Sequence, residues 1–286
     1  MLRVIREPDV IGVAVGQANA KILTRANVHA VLLRCVTAGG VELTRAQMIA
    51  DIGDIVVKLD GEAIWNGCDT TFLLDRQKYL GDLAMGGNQA GIIPLNFERQ
   101  LLATASERKV TSLGLANVGS FTLDIGIVGV AQVSKIEVYS VIDGDPIRNL
   151  GQHVRIDRLS RTFAGTGVQE LTDLPFQDTR CIAYLCEHIK VASGSTAVVS
   201  KVRVRRNGVD VYDQLPALVN AVMLNNAQRA PQTLYYHIEY DMEQDLLCAL
   251  PMPAQSLYHE LTWATAAPNA YSVYIERLFN DPKAAQ

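Results

Sequence analysis

Alternating apolar and polar positions across residues 201–212 predict a β-hairpin. At its centre stand Asn207 and Gly208, and because both residue types adopt positive φ at low cost, the pair predicts a two-residue type I′ turn. Pairing the two strands from that turn gives one aliphatic face and one polar face, the pattern of a strand pair buried on one side. The expected aliphatic face comprises Val202, Val204, Val209 and Val211, with Val204 opposite Val211. The expected polar face comprises Arg203, Arg205, Asp210 and Tyr212, with Arg205 opposite Asp210.

A second hairpin of the same kind is predicted at residues 55–65, around the dipeptide Asp60-Gly61. Each hairpin is followed by a helical pattern. In the first half Asp69 or Thr70 is the expected N-cap, and in the second half Asp213 is, with Pro216 in the first turn. The apolar positions expected on these two helices are Phe72, Leu73, Tyr79, Leu80 and Leu83, then Leu215, Leu218, Val219, Val222 and Met223. The repeated hairpin–helix order predicts two copies of one β-domain.

The remaining apolar segments are short, rich in β-branched residues and separated by turn residues. Strands are expected at residues 21–24, 28–37, 92–97, 110–116, 121–128, 133–142, 168–171, 180–191, 233–241, 256–264 and 271–279. Many short strands with little helix predict an all-β protein of two tandem jelly-roll sandwiches, each with a short helix after a central hairpin. The expected division is an N-terminal arm at 1–19 with at most one short strand, a first jelly roll at 20–143, a linker at 144–161 and a second jelly roll at 162–286.

Composition narrows the function. The chain of 286 residues has a net charge of −4, which argues against a protein that coats nucleic acid, because such binding needs clustered lysine and arginine. Five cysteines form no short-spaced pair, so buried free thiols in a reducing compartment are expected. No signal-peptide pattern is evident, and no uninterrupted apolar run is long enough for a membrane span. A soluble protein made in a cytoplasm is the expectation.

Motifs that carry chemistry are missing from the sequence. The five histidines form no His-x-His or His-x-x-x-His pair, and there is no Gly-x-Ser-x-Gly or Gly-Lys-Ser/Thr motif. Acidic clusters are the remaining option, since carboxylates bind hard cations such as Ca²⁺, but none has a specific spacing. These clusters are Asp51 and Asp54, Asp143 and Asp145, and Asp241, Glu243 and Asp245. No catalytic or cofactor-binding residue is predicted, and a metal site is left open.

Several stretches, in this order and spacing, resemble the double jelly-roll major capsid proteins of tailless icosahedral bacteriophages with an internal membrane, most closely the corticovirus type. The stretches that carry the resemblance are Leu33-Arg34, residues 57–62, 91–97, 113–119 and 121–125 in the first half, and 171–175, 180–183 and 188–190 in the second. The resemblance covers residues 28–279, and it is weakest in the arm 1–19 and the polar excursion 99–109.

The resemblance implies a viral structural protein without enzymatic activity. It implies homotrimers with six similar lobes that tile an icosahedral shell around a membrane vesicle, and location in the virion capsid after synthesis in the host bacterial cytoplasm. Implied partners are the chain itself, penton or spike proteins, minor membrane-associated capsid proteins and, at most peripherally, the inner membrane, without direct nucleic-acid binding. Calcium accompanies some members of the family, so a structural Ca²⁺ is the one cofactor implied. The charged hairpin face of Arg203, Arg205 and Asp210 would then lie at a lobe surface or subunit contact.

Two alternatives stay open at this stage. One is a jelly-roll spike or glycan-binding protein of a phage, which an exposed aromatic cluster at one end of a sandwich would favour. The other is a carbohydrate-active or cupin-like enzyme, for which the histidine spacing is wrong.

Overall fold

The computed structural model describes residues 2–11, 13–81, 91–99, 102, 104–163, 165–192, 198–264 and 269–280. They form two units, the first ending at Asp157 and the second spanning Arg158–Asn280. Glycine-rich and polar residues also predict loops at residues 85–91 and 192–196, and both loops lie almost entirely outside the described residues. The boundary between the units falls inside the predicted linker 144–161, and the four-part division of the chain stays a prediction.

The first unit consists of two antiparallel sheets with three helices. Its strands are β1 (Arg3–Arg6), β2 (Val10–Ile11), β3 (Gly16–Ile22), β4 (Asn27–Val36), β5 (Ile52–Leu59), β6 (Glu62–Asp69), β7 (Ile92–Asn96), β8 (Leu113–Gly114), β9 (Phe121–Ile127), β10 (Lys135–Ile142) and the start of β11 (Gln152–Phe163). Its helices are α1 (Arg45–Asp51), α2 (Thr70–Tyr79) and α3 (Ala105–Val110). One sheet has the order β1-β10-β4-β7, and the other contains β6-β5-β9-β3, with Ile156 of β11 in parallel register with Trp65 of β6.

The second unit repeats the plan with fewer strands. Its elements are β12 (Gly167–Leu171), β13 (Cys181–Val191), β14 (Val199–Arg206), β15 (Val209–Pro216), α4 (Ala217–Asn226), β16 (Tyr235–Glu239), a short 3-10 helix (Leu246–Cys248), β17 (Leu250–Pro251), β18 (Leu257–Trp263) and β19 (Asn269–Asn280). One sheet has the order β12-β18-β14-β15, and the other contains β16-β13-β19.

Aromatic residues anchor both cores. In the first unit the Phe97 ring lies 5.1 Å from the Trp65 ring and 5.9 Å from the Phe121 ring, between centroids. In the second unit Phe163 stacks on Trp263 with centroids 4.0 Å apart. Taken with the strands and helices given above, these two cores confirm the predicted all-β fold of two sandwiches, each with a helix after its hairpin.

Both hairpin turns have the predicted backbone. Asp60 and Gly61 have φ of 51° and 82°, and Asn207 and Gly208 have φ of 51° and 80°, as a type I′ turn requires. The predicted pairing of Arg205 with Asp210 is also present.

The predicted pairing of Val204 with Val211 is wrong. Register shifts on both sides of Val204 set it opposite Tyr212, so Tyr212 turns toward the interior and Val211 is left over as the extra residue of a bulge. Val209 and Val211 are exposed instead of buried.

The expectation of at most one short strand in the N-terminal arm is wrong, because residues 1–19 contain two complete strands and most of a third. β1 pairs with β10 from Arg3 to Arg6. Buried Glu7 accepts hydrogen bonds from the Ser140 hydroxyl at 2.7 Å and from the Leu23 amide at 2.9 Å, which ties the segment to β10 and to the residue that follows β3. Strands as short as β1 and β2 contain too few residues for an alternation of apolar and polar positions to be recognised in the sequence.

Two polar stretches contain regular structure that the pattern did not indicate. The predicted linker contains the first ten residues of β11, where His153 and Arg155 are buried within the strand and conceal its alternation. The excursion at 99–109 contains most of α3, which begins with a capping box between Thr104 and Glu107.

Candidate assembly surfaces

The second unit exposes aliphatic side chains on β15 and on α4, two elements that are in contact with each other. We call this group the α4–β15 face, and it consists of Val209, Val211, Leu218, Val219 and Val222. Leu218 is 79% exposed and Val209 is 69% exposed. Apolar side chains grouped on a soluble surface commonly mark a contact with another molecule.

The strand within this face is an edge strand, because β15 is the last strand in the order of its sheet. Its free backbone groups are open to pairing with another chain unless charges or cover protect them. The neighbouring charges are engaged within the sheet: Arg203 contacts Asp213 at 3.1 Å and Glu260 at 2.9 Å, and Arg205 contacts Asp210 at 2.8 Å. The arginines of the hairpin are therefore neutralised by their own neighbours.

Helix α4 is held from beneath by few contacts. Asn220 donates a hydrogen bond to the His237 carbonyl at 2.6 Å, and Leu224 is 1% exposed. A narrow gap without room for a water molecule lies below, lined by Val202, Tyr212, Leu215, Asn220, Tyr236 and Ile238. The predicted N-cap is wrong: β15 continues to Pro216, which occupies the cap position without a side-chain hydrogen bond, because Pro216 still pairs with Lys201.

The corresponding helix of the first unit is different. Asp69 is its N-cap, as predicted, and accepts a hydrogen bond from the Phe72 amide at 2.7 Å. The apolar side chains of α2 are buried, namely Phe72, Leu73, Leu74 and Tyr79. The duplicated helix therefore completes the core in the first unit and faces solvent in the second.

The first unit has an exposed edge of its own at β1. Leu2, Val4 and Ile5 are 53%, 62% and 37% exposed, and β1 is the last strand in the order of its sheet. Arg6 contacts Asp9 at 2.7 Å, whereas Arg3 has no ion-pair partner among the residues that the structure describes.

Behind β1, ion pairs fix the surface of β10. Glu137 lies 2.9 Å from Lys135 and 2.8 Å from Arg34, and it accepts a hydrogen bond from the Tyr139 hydroxyl. Hydrogen bonds from Lys135, Arg34 and Tyr139 lower the pKa of Glu137 to about 2. Glu137 therefore stays ionised over the physiological range.

The five histidines do not form one site. His29 lies between Glu98 and Asp143, with its Nε2 3.0 Å from the Asp143 carboxylate. Burial lowers the pKa of His29, but the hydrogen bonds with Glu98 and Asp143 outweigh it and raise the pKa above its ordinary value. His259, in the second unit, lies 3.1 Å from Glu187. The His29–Asp143 contact lies within the first unit and the His259–Glu187 contact lies within the second unit. All four of these residues are buried.

A histidine pair in the second unit forms a hydrogen-bonded chain. His237 Nε2 accepts from the Gln232 amide at 3.3 Å, so its proton is on Nδ1, which lies 2.7 Å from His188 Nδ1. His188 must then accept at Nδ1 and donate from Nε2 to Glu276 at 3.0 Å. The His237 imidazole is neutral in this arrangement. Burial, followed by the neighbouring His188, lowers the pKa of His237 well below its ordinary value.

Acidification is therefore expected to destabilise the protein through His237. Below about pH 6.5, His237 is protonated in the unfolded state but not in the folded state. The free energy of unfolding therefore falls by at most about 1.4 kcal/mol per pH unit. The variant His237→Asn should show a smaller decrease in the thermal midpoint between pH 7.5 and pH 5. His29 acts in the opposite direction, since its raised pKa adds stability that is lost as pH rises. Because the wild type and the variant both contain His29, its effect cancels in the comparison. Equal pH dependence in the two proteins would contradict the assignment.

The acidic clusters have structural partners. Asp51 accepts hydrogen bonds from the Gln132 and Val133 amides, both at 2.8 Å, and Asp241 lies 3.1 Å from Arg229. Within the described ranges no three histidine, cysteine or acidic residues are grouped as a metal site would need. All five cysteines are free, and Cys248 is exposed, contrary to the expectation that all are buried. No helix in the described ranges has the length and apolar character needed to cross a membrane.

The fold is similar over nearly the whole chain to solved capsid proteins. The crystal structure of the major capsid protein P2 from bacteriophage PM2 matches with a TM-score of 0.80 and 17% identity, covering 99% of both chains. The atomic structure of Sulfolobus turreted icosahedral virus matches at 0.63 and 11% identity, covering 96% of this chain and 90% of that one. The quasi-atomic model of the PBCV-1 virus capsid matches at 0.61 and 11% identity, covering 97% and 93%. At such identities the likeness shows the fold, which is that of double jelly-roll capsid proteins.

Family models assign both halves of the chain. Residues 5–143 match the N-terminal domain of viral coat protein P2, and residues 154–279 match its C-terminal domain. The chain belongs to the viral coat protein P2 family. No curated protein sequence matches it. Membership confirms the predicted role as a non-enzymatic structural subunit of a virion capsid, and it does not support the spike alternative.

Proposed function

We propose that this chain is a major capsid subunit that forms homotrimers, and that these trimers tile an icosahedral shell around a membrane vesicle. The observation that carries the proposal is the duplication: two sandwiches of the same plan lie in one chain, and each matches a domain of one coat-protein family. Three copies around a threefold axis present six similar lobes, which pack as a pseudo-hexagonal tile.

The exposed surfaces support self-association. A cyclic trimer uses head-to-tail contacts, in which one patch of a subunit meets a different patch of the next. The chain carries exposed aliphatic side chains at two separate edge strands, β15 and β1.

The remaining parts of the proposal follow from the family resemblance. The shell would be closed by penton or spike proteins and supported by minor membrane-associated proteins, and the subunit would be made in the cytoplasm of a bacterial host. Calcium would act at subunit contacts, since the acidic residues Asp51, Asp143 and Asp241 are already engaged within the chain.

The mass of the purified protein tests the trimer. Light scattering should give three times the chain mass of 31.2 kDa, and negative-stain images should show tiles with a six-sided outline. Chelation of calcium should leave each subunit folded while it weakens contacts between trimers. A protein that stays monomeric at every concentration would contradict the proposal, and particles without phospholipid would contradict the membrane part alone.

A further inference from the structure

Two exposed edges on this chain have complementary character. The β15 edge has Asp213, 67% of whose side chain is exposed, beside aliphatic Val211. The β1 edge has Arg3 beside aliphatic Val4 and Ile5. Both strands end the order of their sheets, so both have backbone groups available for pairing.

We propose that the β1 edge of one copy covers the α4–β15 face of a second copy, an inference that rests on the proposed function as a self-associating capsid subunit. A closed ring requires two different patches that fit each other. These two edges have opposite charges, exposed aliphatic side chains and backbone groups available for pairing.

An ion pair gives the contact its direction. Arg203 approaches Asp213 through Oδ1 only, at 3.2 Å from Nε and 3.1 Å from Nη2. The other oxygen of Asp213 is therefore available to an incoming cation. Arg3 has no ion-pair partner among the described residues of its own chain. An antiparallel approach that sets Ile5 opposite Val211 brings Arg3 to the part of β15 where Asp213 lies.

The aliphatic side chains supply the affinity. Leu218, Val219 and Val222 belong to a helix that lies against β15, and they are 79%, 47% and 55% exposed. Covering them by Leu2 and Val4, which lie on the same side of the β1 segment, removes apolar surface from water on both copies. Charge pairs at such a rim set orientation and partner choice more than affinity.

Glutamate substitutions test the apolar part. Leu218→Glu and Val222→Glu, and separately Val4→Glu, should each raise the concentration at which trimers dissociate by roughly a hundredfold, since a charge would be buried without a partner. Matched controls are Val168→Glu and Val128→Glu, at exposed valines on β12 and beside β9. These controls should leave the dissociation unchanged. Circular dichroism and the thermal midpoint verify that each monomer is folded.

A double-mutant cycle tests the pairing itself. Arg3→Gln and Asp213→Asn should each weaken the trimer roughly two- to fivefold, the range of exposed ion pairs. Arg3→Gln should have no further effect in the Asp213→Asn background, because the partner is already lost. Additive effects would overturn the pairing of Arg3 with Asp213.

Three outcomes overturn the inference, and they are distinguishable. A wild-type protein that never forms trimers removes the proposed function together with this contact. Wild-type trimers that survive all the glutamate variants leave the function intact and assign the face to another partner. Equal loss in Val128→Glu and Val4→Glu shows that the first-unit patch has been misplaced.

Discussion

Replacement of Arg229 by methionine is expected to lower the free energy of unfolding by about 3–5 kcal/mol, the usual cost of removing one partner from a buried ion pair. Arg229 lies 2.9 Å from Glu239 and 3.1 Å from Asp241, and the three side chains are at most 1% exposed. Without Arg229, the two buried carboxylates would lose the cation that contacts both of them, which favours uptake of a proton by one carboxylate. The loss should therefore be smaller at pH 5 than at pH 8.

Chemical denaturation of the wild type and the variant at both pH values measures this effect. The variant Arg229→Lys keeps the charge but not the two-sided contact, so it should fall between them. Arg203→Met is the matched control, because Arg203 also contacts two carboxylates but lies at the surface, and it should change stability little. A small loss of stability in Arg229→Met, equal to that of the control, would show that Arg229, Glu239 and Asp241 are open to water.

Replacement of Gly114 by alanine is expected to destabilise the first unit by about 3 kcal/mol through overpacking. A Cβ at Gly114 would lie 2.5 Å from the carbonyl oxygen of Asn149 and 2.6 Å from that of Arg148. The facing backbone is not free to retreat: the Arg148 carbonyl accepts from the Ala116 amide at 3.0 Å, and the Arg148 guanidinium donates to the Ser112 hydroxyl at 2.6 Å.

Gly151→Ala is the control for this prediction, because a Cβ there would meet nothing within 4 Å. The two variants have the same change in composition, and a difference between their thermal midpoints isolates the steric clash. Equal midpoints would mean that the strand pair around Gly114 separates at little cost.

The features that local chemistry decides could be predicted from the sequence. The turns at Asp60-Gly61 and Asn207-Gly208 follow from two residues that tolerate positive φ. The N-cap at Asp69 follows from one carboxylate beside the first free amides of a helix. The duplication was visible because these local signals occur twice in the same order.

The features that distant partners decide could not be predicted. The bulges in β14 and β15 depend on the simultaneous pairing of β14 with β18, and they moved Val211 from the interior to the surface. The strand at His153 and Arg155 is hidden because buried polar residues read as surface positions.

The assembly surface was missed for a related reason. The aliphatic pattern of α4 predicts an inner face whether the cover comes from the same chain or from another one. The sequence therefore indicated which side chains need cover and not which molecule provides it. Exposure of Leu218 and Val222 in the folded chain was the missing observation.

The two post-hairpin helices also differ in when they become stable. Helix α2 has a cap and a packed apolar side, so it folds with its own sandwich. Helix α4 has no side-chain cap, and its Leu218, Val219 and Val222 side chains are exposed. Elements with few buried contacts open at low free energy, so α4 is the part of the second lobe that gains most from a neighbour. If a neighbouring copy covers α4 as proposed, the last ordering step of the subunit would coincide with its incorporation into the shell.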